Sequence, residues 1–507
     1  MKRQTFLNYL LLLTVLFTLI PMKAVAQQKK GLFEGQSDVG KVKTPGKLIY
    51  DPLKQTYLLS GSGTNMWFTS DEFHFLWSRI TGDFLIRARV ELQGTGTNEH
   101  RKAGLIVRET LDTSSVYADA ALHGDGLTSL QYRRLSGAIT EEIKAAMTFP
   151  TTMQLERKGD TIIMSAAKTG EPLTETGRIV MPINKTACVG LFVCAHNPDE
   201  TEHALFSNVR LVIPAPAGFI PYHDYGHSRL EIMDVETRDR KIIYTSDEPL
   251  EAPNWSRDGK FLVYNSRGLL YKINVAGGIP KVIPTGFADQ NNNDHGISFD
   301  GKILAISHHA KDKPDGNNST VYTVPIEGGT PKEIIPKSPS YWHGWSPDGK
   351  WLTYTASRNG QFDIYKIPSA GGDEIQLTNQ STLDDGPEFS PDGNYIYFNS
   401  ARSGRMQIWR MSYNGTHQEQ LTSDEYNNWF PHISPDGKWI IFLSYPQSVE
   451  ADDHPHYKHV MIRMMPVSGG GAVVKAYIYG GQGTFNVPSW SPDSKKVAFV
   501  SYTFGKP

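Results

Sequence analysis

Four side chains able to transfer protons or bind metal stand at matching points of one repeat. In the C-terminal half of the 507-residue chain, a bulky apolar residue followed by Ser-x-Asp and a Gly-Lys-like pair recurs six times. The two positions before it read Pro253-Asn254, His295-Gly296, His343-Gly344, Pro387-Glu388, Pro431-His432 and Pro488-Ser489. Pro and a small residue are the plain filling, and His295, His343, Glu388 and His432 replace it in four consecutive units. Three imidazoles and a carboxylate suit a divalent transition metal, with all four as ligands. They suit equally acid/base work on a sugar, in which His343, Glu388 and His432 would move the protons. They would also serve as a hydrogen-bonded lining of a wet channel. Asp294, Asp384, Asp385, Asn427, Asn428 and Asn486 lie in the segments leading in. Glu388 with Asp385 is the one carboxylate pair resembling what a glycosidase needs.

Two neighbouring loops bear on the same face. One carries Arg402 and Arg405, and a guanidinium there would suit a uronate carboxylate. The other runs Glu450-Ala-Asp452-Asp453-His454-Pro-His456-Tyr-Lys458-His459, which would bind metal, cover the site or stay a solvated loop. Trp342 and Trp429 would stack on sugar rings or fill the space between repeats.

The elements that must position these groups follow from the repeat. Its Asp stands at 258, 300, 348, 392, 436 and 493, spaced by 42, 48, 44, 44 and 57 residues. Periods in the forties belong to propeller blades or helical repeats. Helices are excluded by the β-branched and aromatic runs that follow, such as those starting at Trp351, Tyr395 and Trp439. The Pro-Asp-Gly turn, with φ fixed by Pro and positive at Gly, connects two strands and carries no catalysis. Each unit holds four strands. The sixth stops at Pro507 after two, and runs at Arg229–Asp234 and Lys241–Thr245 supply the missing pair, so the ring closes with six blades. A seventh blade would have to fit near residues 445–486.

The Trp-Ser-Pro-Asp-Gly-Lys units resemble the TolB-type (PD40, WD40-like) propeller repeats of bacterial periplasmic proteins, over roughly residues 217 to 507. That resemblance implies the fold. It leaves function open, because such propellers include interaction scaffolds and, in oligogalacturonate lyases, enzymes.

Residues 31–213 lack the repeat and show strands with one polar face, as in Phe84–Leu92 and Met153–Arg157. With Gly124-Asp-Gly-Leu and Leu130-Gln-Tyr-Arg-Arg, the run Ala103-Gly-Leu-Ile-Val-Arg resembles bacterial concanavalin-like jelly-roll domains of the DUF1349 type. This implies a lectin-like accessory role or a structural one. Pro214-Ala-Pro-Ala-Gly, residues 214–218, reads as a stiff linker to the propeller of 219–507. The fold class expected is therefore all-β.

Lys2 and Arg3, the apolar run Phe6–Pro21 and Ala24-Val25-Ala26 have the form of a signal peptide cleaved after residue 26. No other stretch could span a bilayer, so a periplasmic or secreted chain is expected. Cys188 and Cys194, about 20 Å apart along one strand, are too distant for a disulfide. A net charge of −2 from 51 basic and 53 acidic residues lacks the footprint of a nucleic-acid binder. The reading that unites these features is an exported carbohydrate-active protein, a polysaccharide lyase or glycoside hydrolase if it is an enzyme. Its partner would be an oligosaccharide or polysaccharide. The alternative is a non-catalytic scaffold that binds another envelope protein.

Overall fold

A computed structural model describes residues 30–220, 223–313 and 318–505; the signal-like segment 1–26 lies outside them. Among the described residues every regular element is a β-strand, and no helix is long and apolar enough to cross a membrane.

The strands between Gly35 and Val212 form two seven-stranded antiparallel sheets. Alternate side chains of both, among them Leu105, Val107 and Leu191 from one and Ile86, Leu155 and Phe206 from the other, meet in one buried core. This is the period-two pattern expected when one face of each sheet is covered. Cys188 and Cys194 are buried and unbonded, and both join a smaller apolar cluster on the far face of their strand.

Residues 227–503 form six blades around an axis. Blades 1 to 5 are four-stranded antiparallel sheets whose innermost strands are Glu251–Trp255, Asn291–Ile297, Ser340–Trp345, Asp384–Phe389 and Asn427–Ile433. Blade 6 takes Lys496–Thr503 from the C-terminal end and pairs it with His227–Asp234, which pairs in turn with Arg240–Ser246. Trp490 bridges Val497 in place of a full inner strand. The long spacing in the fifth unit goes into an extended hairpin, Lys458–Pro466 with Val473–Gly480, and adds no blade.

The repeated turn is held by its own side chains. In each unit the Ser hydroxyl donates to the Asp carboxylate, at 2.6 Å for Ser346–Asp348 and Ser434–Asp436. The Asp accepts from the amide two residues on, and the Ser oxygen from the first amide of the next strand. Five turns place Gly in the left-handed region, with Gly349 at φ 70°. The sixth places Ser494 there, at φ 61°.

The sandwich is bonded to the closing blade. Glu231, fully buried, accepts from Arg210 of the sandwich at 2.5 Å, from Arg240 at 2.9 Å and from Ser501 at 2.5 Å. Burial opposes its charge, yet the two guanidiniums hold the carboxyl well below its usual range. Gln55 caps both the carbonyl and the amide of Ile242, and Phe504 donates its amide to the Ile213 carbonyl.

Candidate functional site

Numbering each inner strand backwards from the motif's bulky residue sorts its side chains by task. The position immediately before the motif fastens neighbouring blades. Asn254 accepts from the Ile297 amide of the next blade at 2.9 Å and donates to the Pro488 carbonyl of the preceding one. Glu388 accepts from the Ile433 amide at 3.2 Å. His432 is held at both ring nitrogens, 2.6 Å from Glu388 and 2.9 Å from the Phe485 carbonyl. Ser489 donates to the Pro253 carbonyl at 2.7 Å, closing the ring. Trp345 and Trp490 donate from their indoles to the carbonyls of Gly296 and His432.

Four residues before the motif, the side chains face a cavity of about 1440 Å³ at one mouth of the axis. Five of the six units send that position there: Glu251, Asn293, Tyr341, Asp385 and Asn486. Alternation along a strand would keep the second and fourth positions on one face, but all five inner strands of blades 1 to 5 carry a register shift in this stretch. In three of them the residue between, Ala252, Gly386 or Phe430, adopts positive φ of 54°, 64° and 53°. Such a bulge re-aims the side chain before it. For Ala252 and Phe430 the left-handed backbone costs on the order of 1 kcal/mol, strain kept beside the cavity.

The sequence-predicted residues separate accordingly. His343 lines the cavity, 3.1 Å from Asp385, which also accepts from the Thr355 hydroxyl at 2.6 Å and the Gly386 amide at 2.7 Å. Glu388 and His432 are bonded to each other as the latch just described and do not line it. His295 is fully buried against the Val263 carbonyl, and burial pulls its imidazole down to about 4. Arg402 points elsewhere: it forms an ion pair with Asp384 at 2.6 Å, donates to Ser400 and Gln418, and stacks over Trp409. The expectation of one network of four, with Arg402 free for an anion, is therefore corrected. Residues on opposite faces of a bulged strand cannot converge.

The metal expectation changes for the same reason. Among the described residues no three His, Cys, Asp or Glu side chains are grouped so as to hold an ion, and His295, His343, His432 and Glu388 do not fit one. Trp342 and Trp429 are buried, the first filling the space over Gly296 of the adjacent blade. Asn427 and Asn428 hold backbone and neighbouring side chains. The His-rich loop does cover the cavity, contributing Glu450, Asp452 and His454 to its wall.

Two titratable groups in the cavity stand far from their ordinary range. Burial raises Asp294 to about 7, reinforced by Asp385 and opposed by His343. Burial likewise raises Glu251 to about 7, with Asp294 adding repulsion. His343 is raised despite burial, because Asp385 and then Asp294 favour its cation, and Asp385 is lowered to about 2 against its own burial by His343. The cavity thus sets an imidazole and a carboxylate that favour each other's charge beside two carboxyls that burial pushes toward neutrality. Asp294 and Asp385 stand out in the sequence; Glu251 does not, because only the repeat-wide alignment of the fourth position singles it out.

Comparison with known proteins now adds the lineage. Residues 317–457 match PD40, the TolB beta propeller domain. An uncharacterised protein of Agrobacterium fabrum is 46% identical over 276 residues, 54% of this chain and 92% of that protein. The chain belongs to the TolB-like β-propeller family. A solved structure from Agrobacterium tumefaciens, named as a candidate TolB, is 45% identical, covers 55% of this chain and 99% of that one, and superposes with a TM-score of 0.52. The Tol-Pal system protein TolB of Francisella tularensis is 27% identical over 153 residues, 29% of this chain and 34% of that protein. The TolB-like part accounts for the propeller's repeats and closure; the cavity's acidic lining is described by this chain's own residues.

Proposed function

We propose that the propeller cavity binds an oligosaccharide outside the cytoplasm and transfers protons to it through Glu251 and Asp294, while His343 and Asp385 orient the sugar. The observation that carries this reading is the lining itself. Carboxamides and carboxyls such as Asn293, Asn486, Asp294 and Asp385 share one large cavity with Tyr341, Phe362 and Phe430. Hydroxyl-rich rings need many paired donors and acceptors and flat apolar faces, which is this composition. A carboxyl pair titrating near neutrality supplies one protonated and one ionised member, as hydrolysis or elimination requires.

The sugar is neutral in this reading. Arg267, the arginine of the lining among the described residues, is paired with Glu248 and stacked over Tyr225, and Arg402 is committed to Asp384, so among the described residues no guanidinium of the lining stands unpaired for a uronate. Glu388 and His432 act as blade fasteners. The resemblance of the sandwich's strand sequences to concanavalin-like jelly rolls supports an accessory glycan-binding role for it, and the signal-like residues 1–26 with the TolB relatives support a periplasmic or secreted location.

A glycan array with neutral and uronate oligosaccharides, followed by a reducing-end assay on the hits, tests this. Neutral oligosaccharides should bind, and Glu251→Gln should abolish turnover while retaining binding; silence across both sets would overturn it. The Tol-Pal match supports a second reading, a non-catalytic envelope scaffold, which one stoichiometric partner protein captured by the wild type would favour.

A further inference from the structure

A second polar site lies away from the axis, at the seam between the sandwich and the propeller. A crevice of about 50 Å³ is lined by Arg87, Arg89 and Lys168 from the sandwich and by Arg238, Arg240 and Lys475 from the propeller, and among the described residues no carboxylate lines it. Two of the six cations are neutralised nearby. Arg240 is taken by Glu231, and Arg89 by Asp239 and the Thr237 carbonyl. Arg87 donates to a neutral acceptor, Gln154, at 2.9 and 2.5 Å, with Glu156 beyond it, and Lys475 donates to the Val235 carbonyl, with Asp234 and Glu236 acting on it from a distance. The Arg238 Nε is buried and has no acceptor among the described residues. Its backbone is held at φ 62°, with its carbonyl bonded to Asn208.

We propose that this crevice binds one tetrahedral oxyanion, a phosphate or sulfate group, free or carried on a larger molecule. Like charges at a seam repel, and an unpaired buried guanidinium nitrogen costs free energy that an acceptor would remove. The same crowding weakens the hold of these groups on their protons. Burial and then Arg240 pull Arg87 down to about 9, and burial and then Arg238 pull Lys475 down to about 8. A dianion would pair with several of these donors at once, in the geometry guanidinium groups favour. The crevice holds only a few heavy atoms, which selects the group over an extended polyanion. Lys168 and Thr169 at its rim are exposed, so it is reachable from solvent. Because the two domains supply three cations each, an occupied site would tie them together.

Isothermal titration of the full mature protein with inorganic phosphate and with sulfate, at constant ionic strength set by chloride, tests the site. One anion per chain should bind and raise the melting temperature, and Arg238→Gln should weaken binding tenfold or more. Lys168→Gln, at the exposed rim, should weaken it severalfold without disturbing the fold. Glucose 6-phosphate and vesicles of phosphatidylglycerol separate the sources: capture by vesicles that Arg238→Gln abolishes assigns a lipid headgroup, and binding of the free ion or sugar phosphate alone assigns a soluble one. Equal binding by wild type and both variants, an equal effect of chloride, or no binding of any probe would overturn the proposal.

Discussion

His343 with Asp385 and His432 with Glu388 are the same pair of functional groups, one blade apart on the same ring. The first pair reaches across from blade 3 to blade 4 and faces the cavity, where Thr355 and Gly386 hold the carboxylate and the Asn486 backbone also bonds the imidazole. The second reaches from blade 4 to blade 5 and is used up: the imidazole is bonded at both nitrogens and the carboxylate also takes a backbone amide. Chemistry needs a group that lines the cavity, as His343 and Asp385 do, and architecture needs one turned away from it, as Glu388 and His432 are. Residue type does not tell them apart. What separates the two carboxylates is the bulge between the first and fourth positions of blade 4's inner strand, and His343 sits within the corresponding bulge of blade 3.

The contrast is broken most severely by His432→Ala. It leaves Glu388 and the Phe485 carbonyl without their partner inside the ring, and the expected loss is about 3–5 kcal/mol of stability in denaturant titration. His343→Ala should cost only about 1–2 kcal/mol, since cavity water can solvate Asp385. Its effect belongs in function: His343→Ala and Asp385→Asn should each weaken oligosaccharide binding tenfold or more, about 1.4 kcal/mol, measured by titration calorimetry. If the two histidine variants lose stability equally, the division of labour fails.

The next effect is a pH dependence. Glu251 and Asp294 have carboxyls raised to about 7 in the fold from ordinary values of 4.5 and 3.8. The folded chain therefore keeps protons that the unfolded chain has released, and the stability they contribute, complete below about pH 4, is lost as pH rises through 7. His343, also raised, changes stability in the same direction above its ordinary 6.5. Asp385, lowered to about 2, acts in the opposite sense but only under acid conditions. The melting temperature should fall from pH 5 to pH 8, and Glu251→Gln should flatten that fall and exceed the wild type at pH 8. A parallel profile for the variant would contradict it. The smallest effect concerns the turns: Ser494→Gly relieves a left-handed serine but removes the bond its hydroxyl accepts from the Asp436 amide, so stability should change by less than about 1 kcal/mol.

The six turns and the six-blade closure were legible in the sequence because each rests on contacts within a few residues or on a chain end that lacks its strands. The turn of Ser434, Asp436 and Gly437 is held by bonds among residues 434 to 439. The cavity was legible only in part. Asp294, Asp385, Asn486 and His343 are visible as polar departures from the repeat, whereas Glu251 and the fastening role of Glu388 and His432 depend on which way a strand faces after its bulge. Neither Ala252 nor Phe430 announces a left-handed backbone, since both side chains are ordinary in an extended strand. Arg402 was misplaced for a similar reason: its partner Asp384 is eighteen residues away and meets it only once the blade is folded.

The bond between the sandwich and the closing blade also bears on the order in which the chain matures. The strand Lys496–Thr503 follows every other strand of the ring in sequence, and until it pairs His227–Asp234 has an open edge. The strands of the sandwich all precede it in sequence, so Arg210 is available to hold Glu231 while Gln55 holds the strand beyond it. The first half of the chain thus works as a jig: it presents the waiting edge in position and shields one side of it, so that the final strand joins a prepared partner and the slow, long-range step of ring closure becomes a local one.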